Sequence, residues 1–345
     1  MEAEFTNSEH TTETLAPPIT DLNGAWGVIE RLRARLRAAV RGRDNAIEVI
    51  ITALLADGHI LLEDYPGSGK TTLAKALGDS IIDDNPKDEI VTFRRIQFTP
   101  DLLPSDVTGT TIFDPTSARF FFRTGPIFAH VVLADEINRT SPKVQSAMLE
   151  AMAEKQITVD NKTRKLDPLF FVIATQNPLD LAGTFPLPSA QLDRFLFKLK
   201  MTHISRDAEL DVLASYKQRR VGAGDELARV TRTEILDARA VIEHYTHLVP
   251  AVRECLVDIA AKTRSDPRIL QGASTRSLVA ILPALQVHAV ANRRDYVAAS
   301  DVEALAGLVF GHRLELGPGA DSIDGVLKEC MQEPLERLAR GTMAR

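Results

Sequence analysis

Apolar residues recur at three- and four-residue intervals from Trp26 to Leu55 (Trp26, Ile29, Leu32, Leu36, Val40, then Ile47, Ile50, Ile51, Leu54), which predicts two helices broken near Arg41-Gly42-Arg43. The texture then changes. Short apolar runs stand at His59–Leu62, Val91–Phe98, Val131–Leu133, Phe170–Ala174 and Phe195–Leu199, and stretches of helical spacing such as Thr71–Ile82 and Pro142–Glu154 lie between them. Short apolar strands alternating with helices predict an α/β fold with a parallel sheet covered on both faces. After about His203 the strand-like runs stop, and Arg206–Gln218, Thr233–Thr246, Ala251–Arg264, Ser274–Ala291 and Ser300–Phe310 all carry helical periodicity. Residues 1–22, rich in Thr, Glu and Pro, read as a disordered tail. The expected organisation is therefore a tail at 1–22, an α/β core at 23–203 and a small all-α domain at 204–340, with a flexible loop at Val221–Asp225.

The first candidate chemistry sits between an apolar run and a helix. Glu63-Asp64-Tyr65-Pro66-Gly67-Ser68-Gly69-Lys70-Thr71 follows His59–Leu62 and opens the next helical stretch, which is the context a phosphate loop needs. Glycines let successive backbone N–H groups close on phosphate oxygens, and the following helix adds the positive end of its dipole. Tyr65, Pro66, Gly67, Ser68, Gly69, Lys70, Thr71 and Thr72 are thus expected to bind ATP, with Lys70 on the β- and γ-phosphates and Thr71 on Mg2+. One position departs from the pattern: Asp64 stands where the first glycine belongs, and its carboxylate beside the phosphates predicts that Asp64→Gly tightens ATP binding.

The second is an acid pair. Val131-Val132-Leu133-Ala134-Asp135-Glu136 is an apolar strand ending in two carboxylates. Downstream of a phosphate loop, Asp135 is expected to hold Mg2+ and Glu136 to orient and deprotonate the attacking water. Taken alone, such a pair is usually a solvated turn. The phosphate loop and the pair together, in this order, reverse those odds.

Composition narrows the field. A formal charge of −6 argues against a protein whose main task is gripping nucleic acid. Cys255 and Cys330 lie far apart and in no metal-type spacing, so neither a disulfide framework nor a zinc site is indicated. No apolar run approaches the length of a membrane span, and the polar, acidic N-terminus does not read as a signal peptide, so a cytoplasmic location is expected.

Several segments carry a resemblance. Arg95–Thr110 (RIQFTPDLLPSDVTGT), Gly125–Met152 (GPIFAHVVLADEINRTSPKVQSAMLEAM), Phe170–Pro178 (FFVIATQNP) and Phe185–Phe195 (FPLPSAQLDRF) are similar to the MoxR family of AAA+ ATPases, and Gly272–Ser277 (GASTRS) and Arg293–Leu305 resemble that family's helical lid. The match runs from about residue 26 to 335. It implies an AAA+ P-loop core followed by a lid and assigns roles by position. Asn177 matches the sensor 1 residue that sets the lytic water against the γ-phosphate; read alone, an Asn before Pro178 is more often a turn residue. Arg194 matches the arginine finger that reaches a neighbouring subunit's ATP, though it could also simply pair with Asp193. Arg276 matches sensor 2, a lid arginine touching the nucleotide of its own subunit. Gly42-Arg43 replaces the family's Gly-Gln and leaves the adenine contacts open. The regions Asp101–Phe122 and Ile157–Leu166 correspond to two family insertions facing the ring's pore or its clients; the second reads as a hairpin on local grounds too, and at least one of Phe120, Phe121 and Phe122 is expected to be core.

The resemblance implies a hexameric ring that remodels or matures partner proteins, often ones with a von Willebrand A domain. Three other readings stay open: a nucleic-acid motor of the helicase-related branch, a scaffold that binds ATP but scarcely hydrolyses it, and a magnesium-chelatase-like subunit.

Overall fold

The computed structural model describes residues 18–63, 65, 67–85, 90–177, 183–215, 226–319 and 322–343. In chain order the helices are α1 (Leu22–Ala39), α2 (Asp44–Leu55), α3 (Lys70–Asp79), α4 (Pro104–Thr108), α5 (Pro142–Glu154), α6 (Ser189–Leu192), α7 (Arg206–Ala214), α8 (Arg232–Tyr245), α9 (Pro250–Ser265), α10 (Thr275–Ala291), α11 (Ala299–Phe310) and α12 (Ile323–Met343). The strands are β1 (Ile60–Glu63), β2 (Ile81–Ile82), β3 (Val91–Gln97), β4 (Gly109–Asp114), β5 (Arg119–Thr124), β6 (Ala129–Asp135), β7 (Gln156–Val159), β8 (Lys162–Lys165), β9 (Phe171–Gln176), β10 (Phe197–Lys200), β11 (Val230–Thr231), β12 (Ile269–Gln271) and β13 (Glu315–Leu316).

Five strands form one parallel sheet in the order β10-β1-β9-β6-β3. Alternation along each strand sends side chains to two separate cores. Ile60, Leu62, Val131, Leu133, Phe171 and Ile173 join α1, α2 and α3 on one face. Leu61, Val132, Ala134, Val172 and Ala174 join Val144, Met148 and Leu149 of α5 on the other. The strands are apolar on both sides because both sides are covered, and the α/β expectation holds.

Past residue 203 two findings differ from the sequence reading. Strands do not stop: β11 pairs with β2, and β12 with β13, in ladders too short to register as apolar runs. The core does not stop either. Ile235, Ala238 and Ile242 of α8 bury against the same cluster as α1, and so do Leu256, Ile281, Leu285, Val302 and Phe310 of the later helices. Arg239 of α8 donates to the Leu54 carbonyl of α2 at 2.7 Å, and a capping box between Thr231 and Glu234 starts α8 at the sheet's margin. The helical segment is therefore packed as an extension of the core's own apolar face. The loop expected at 221–225 lies outside the described residues. No helix among the described residues is long and apolar enough to cross a membrane, and both cysteines are free and buried.

Two hairpins project from the sheet. β4 pairs antiparallel with β5, and β7 with β8 through a turn at Asp160 and Asn161, both at positive φ (52° and 58°). This is the turn chemistry expected of a tight hairpin. Of the three phenylalanines, Phe122 is half-buried against the second core, while Phe120 and Phe121 are exposed.

Candidate active site at the carboxyl edge of the sheet

All five strands point the same way, so the residues at their C-terminal ends meet along one edge, where α/β proteins place their sites. β1 runs into the phosphate loop. Gly67 and Gly69 stand at φ +89° and +90°, a region that side chains rarely adopt, and Gly69 caps α3 so that Lys70, Thr71 and Thr72 form its first turn. Asp64 and Pro66 lie outside the described residues. The Lys70 ammonium is 3.4 Å from Oδ1 of Asp135 at the end of β6. The loop's cation and the proposed metal-holding acid thus share one spot, as the reading of both motifs requires.

Asp135 is buried and fully engaged. The Thr175 hydroxyl donates to its Oδ1 at 2.7 Å, and Arg95 on β3 donates from Nη2 to its Oδ2 at 2.7 Å. Burial pushes its carboxyl up, but Thr175, Arg95 and Lys70 outweigh that and hold it below the usual range, keeping it an anion. Thr175 also accepts from the backbone N–H of Glu136 at 2.9 Å, so one hydroxyl fixes both acids. Glu136 sits in the left-handed region (φ 59°, ψ 49°), which turns its carboxylate out of the strand. Its Oε2 accepts from Nε2 of Gln97 at 2.7 Å and lies 3.3 Å from Nε of Arg139. Arg95 also donates to Oε1 of Gln97 at 2.7 Å, so a chain of polar contacts runs Asp135–Arg95–Gln97–Glu136. Asn177 directly follows β9 at the same edge, one residue past Gln176, which donates to Glu63 at 3.0 Å.

Arg95, Gln97 and Thr175 were not singled out by sequence. The available signal was positional: polar residues at the last turns of otherwise apolar strands, two of them (Arg95 and Gln97) sharing a face by their spacing, with Gln97 in direct register with Asp135.

Beside the loop lies a cavity of about 250 Å3 lined by Val40, Arg43, Tyr65, His203, Ile204 and Val212, among others. Arg43 is buried and donates from Nε and Nη2 to the Ser68 carbonyl at 3.2 and 3.0 Å. Arginine in place of the family's glutamine therefore braces the phosphate loop from behind. The Tyr65 and His203 rings that line it are nearly parallel (10°), with centroids 6.4 Å apart.

Arg194 and Arg276 are elsewhere. Arg194 precedes β10 and donates to the Leu149 carbonyl at 3.2 Å. Its neighbour Asp193 is held by Arg313 (2.6 Å) and approached by Arg276 (3.6 Å). Phe195 and Leu196 follow, and the Leu196 N–H donates to the His59 carbonyl just before β1. This cluster is at the amino ends of β1 and β10, whereas the phosphate loop is at the carboxyl end, and four strand residues at about 3.3 Å each separate the two by roughly 13 Å. The exposed side chain of Arg276 stands beside Asp193, the neighbour of Arg194.

Residues 59–197 match the family described as "ATPase family associated with various cellular activities (AAA)", and residues 261–330 match an AAA lid domain. Chaperone MoxR1 of Mycobacterium tuberculosis is 34% identical over 326 residues, covering 87% of this chain and 80% of that protein. The chain is a member of the MoxR family of AAA+ ATPases. The uncharacterized protein YeaC of Bacillus subtilis is 45% identical over 302 residues, 86% of this chain and 88% of its own. The crystal structure of a "putative ATPase" from Cytophaga hutchinsonii superposes with a TM-score of 0.80 at 32% identity over 90% of this chain and 95% of that one. The MoxR membership accounts for the α/β core followed by a lid and for nucleotide binding.

Proposed function

We propose that this MoxR-family chain hydrolyses Mg·ATP between subunits of a ring and uses the cycle to remodel partner proteins. The observation that carries the reading is the 3.4 Å approach of Lys70 to Asp135 at the mouth of a loop shaped by two positive-φ glycines. That fit is to a triphosphate with its metal: N–H groups and an ammonium for the phosphates, a hydroxyl and a carboxylate for the cation. Thr71 and Asp135 would hold Mg2+, which when bound neutralises charge on the β- and γ-phosphates. Tyr65, Pro66, Gly67, Ser68, Gly69, Lys70 and Thr72 close around the phosphates, and the cavity between Val40, Tyr65 and His203 takes the base. Glu136 orients the attacking water and accepts its proton, and Asn177 sets that water against the γ-phosphate.

Arg194, just ahead of β10, then acts on a neighbouring subunit's ATP, and Arg276, beside Asp193, contacts nucleotide as the sensor 2 residue. A site completed in trans makes hydrolysis depend on assembly, and a closed ring, a hexamer by resemblance, supplies every site with its partner. Clients are proteins to be remodelled or matured, with von Willebrand A domain proteins as adaptors or clients; the relative named a chaperone points the same way. Two free buried thiols fit work in the reducing cytoplasm.

Mixing single-defect subunits tests this. Lys70→Ala cannot bind nucleotide, and Arg194→Ala binds but cannot complete its neighbour's site; each alone is inactive. Mixed, an Arg194→Ala subunit's nucleotide meets an intact Arg194 on a Lys70→Ala neighbour, and turnover returns. No recovery on mixing, or a monomer that hydrolyses ATP at the assembled rate, would overturn the shared-site reading.

A further inference from the structure

The segment that carries Arg194 is held from the far end of the chain. Asp193, Arg194, Phe195 and Leu196 join α6 to β10, and the short helical turn Gly311–Arg313 that follows α11 closes over them. Arg313 is buried, and its guanidinium is directed at this segment. Nε donates to Oδ1 of Asp193 at 2.6 Å, and Nη2 to the carbonyls of Asp193 and Phe195 at 3.1 and 2.8 Å. Nη1 donates to the Leu196 carbonyl at 3.2 Å and to the Val309 carbonyl of its own helix.

His312 adds to the grip, with Nε2 3.1 Å from the Phe195 carbonyl. Burial and the adjacent Arg313 charge keep the imidazole neutral, so Nε2 carries its one proton and donates it. The backbone carbonyls of Asp193, Phe195 and Leu196 therefore all end on two neighbouring residues 117 to 120 positions downstream. A planar fork of five donors suits such a curve of carbonyls, whereas an ammonium has three donors at one point. A buried guanidinium is costly unless its donors are matched in this way.

Arg194 lies inside that grip. Its backbone is fixed on both sides, while its half-buried side chain donates to the Leu149 carbonyl at 3.2 Å. Asp193 is shared further: Oδ1 takes Arg313, and Oδ2 faces Arg276 at the head of α10 at 3.6 Å. One carboxylate thus joins the finger segment to two separate elements of the lid. A group that must meet a phosphoryl on another subunit depends on such bracing, because a displacement of about 1 Å can cost about a hundredfold in rate.

We infer that Arg313 is the positioning residue of Arg194: by gripping Asp193, Phe195 and Leu196 it fixes the backbone from which Arg194 reaches the neighbouring subunit's nucleotide. The lid of one subunit then bears on the nucleotide site of the next. The inference rests on the proposed role of Arg194 in a shared site.

Complementation between subunits tests it, with Arg313→Lys as the variant, since lysine keeps the charge and loses the fork. Alone, the variant should turn over ATP about tenfold more slowly than wild type and bind a fluorescent ATP analogue within about twofold, its own phosphate loop being untouched. Mixed with Lys70→Ala, it should regain turnover, because its nucleotide then meets an Arg194 held by an intact Arg313. Mixed with Arg194→Ala, it should regain none, because neither subunit presents a working finger. If Arg313→Lys fails to fold, Asp193→Ala, at a part-exposed position, removes the charged partner and should sort into the same two mixtures. Wild-type turnover, loss of nucleotide binding in parallel with turnover, or recovery with Arg194→Ala in place of Lys70→Ala would overturn the inference. A merely structural role would leave both mixtures inactive. The mixture of Arg194→Ala with Lys70→Ala is the control: if it stays inactive the proposed shared site falls and takes this inference with it, whereas recovery there alone sinks only the role of Arg313.

Discussion

Thr175→Val removes one hydroxyl and disturbs two acids. In the structure that hydroxyl donates to Asp135 at 2.7 Å and accepts from the Glu136 N–H at 2.9 Å. A hydrogen bond to a charged group contributes about 1.5–3 kcal/mol, and a buried N–H left without a partner costs about 1–3 kcal/mol. Because one hydroxyl makes both contacts the terms do not simply add, and the expected loss is about 3 kcal/mol. At about 2–4 °C per kcal/mol for a domain of this size, Tm should fall by roughly 6–12 °C in calorimetry. Turnover should fall with it, because Asp135 loses the foremost contact holding its carboxyl ionised and Glu136 loses the anchor of its left-handed backbone. Thr175→Ser keeps the oxygen and should recover most of both. A Val variant within 1 °C of wild type, or a Ser variant no better than Val, would show that the hydroxyl does not organise the site.

Other consequences are equally accessible. Gln97→Ala releases Glu136 from a part-exposed hydrogen bond of about 0.7 kcal/mol, which should raise basal kcat about threefold with ATP affinity unchanged; a fall in kcat would show that Gln97 holds Glu136 in its working position. Burial pushes His59 down to about 4 and His312 down to about 3, so the fold refuses protons that the unfolded chain accepts near pH 6.5. Stability should therefore be full above pH 6.5 and fall toward pH 4 by up to about 1.4 kcal/mol per pH unit for each histidine, read as a falling urea midpoint; a flat midpoint between pH 7 and 4.5 would contradict it. Gly109→Ala forces a side chain into the hairpin neck at a cost of about 1–3 kcal/mol, and trypsin should then cut at Arg119 and Arg123 faster than in wild type, with the rest of the fold intact.

The sheet and the site's outline were legible because they are written in local patterns. Five apolar runs became the five strands, the two glycines Gly67 and Gly69 lead into α3, and Asp135 ends β6 with Glu136 directly after it. What the pattern hid depends on register and on chain reversal. Arg95, Gln97 and Thr175 reach the two acids only because β3, β6 and β9 lie side by side, and no spacing along the chain states that adjacency. For the same reason only folding shows that α10 begins beside Asp193. The continuity of the core across residue 203 was invisible because α8 and α10 bury their stripes against α1 and α2, while α9, α11 and α12 pack on α10 and on one another. α12 was overlooked although Val326, Leu327, Cys330 and Met331 keep helical spacing, since its exposed faces are crowded with charge.

The central claim is that one triphosphate and its metal sit between Lys70 and Asp135. A crystal structure of the Glu136→Gln variant with ATP and Mg2+ tests it most directly. The γ-phosphate should contact the Lys70 ammonium, with the cation between the Thr71 hydroxyl and Asp135 and Arg194 of an adjoining subunit facing the same phosphate. Nucleotide bound elsewhere, or phosphates at the loop with the metal away from Asp135, would contradict it.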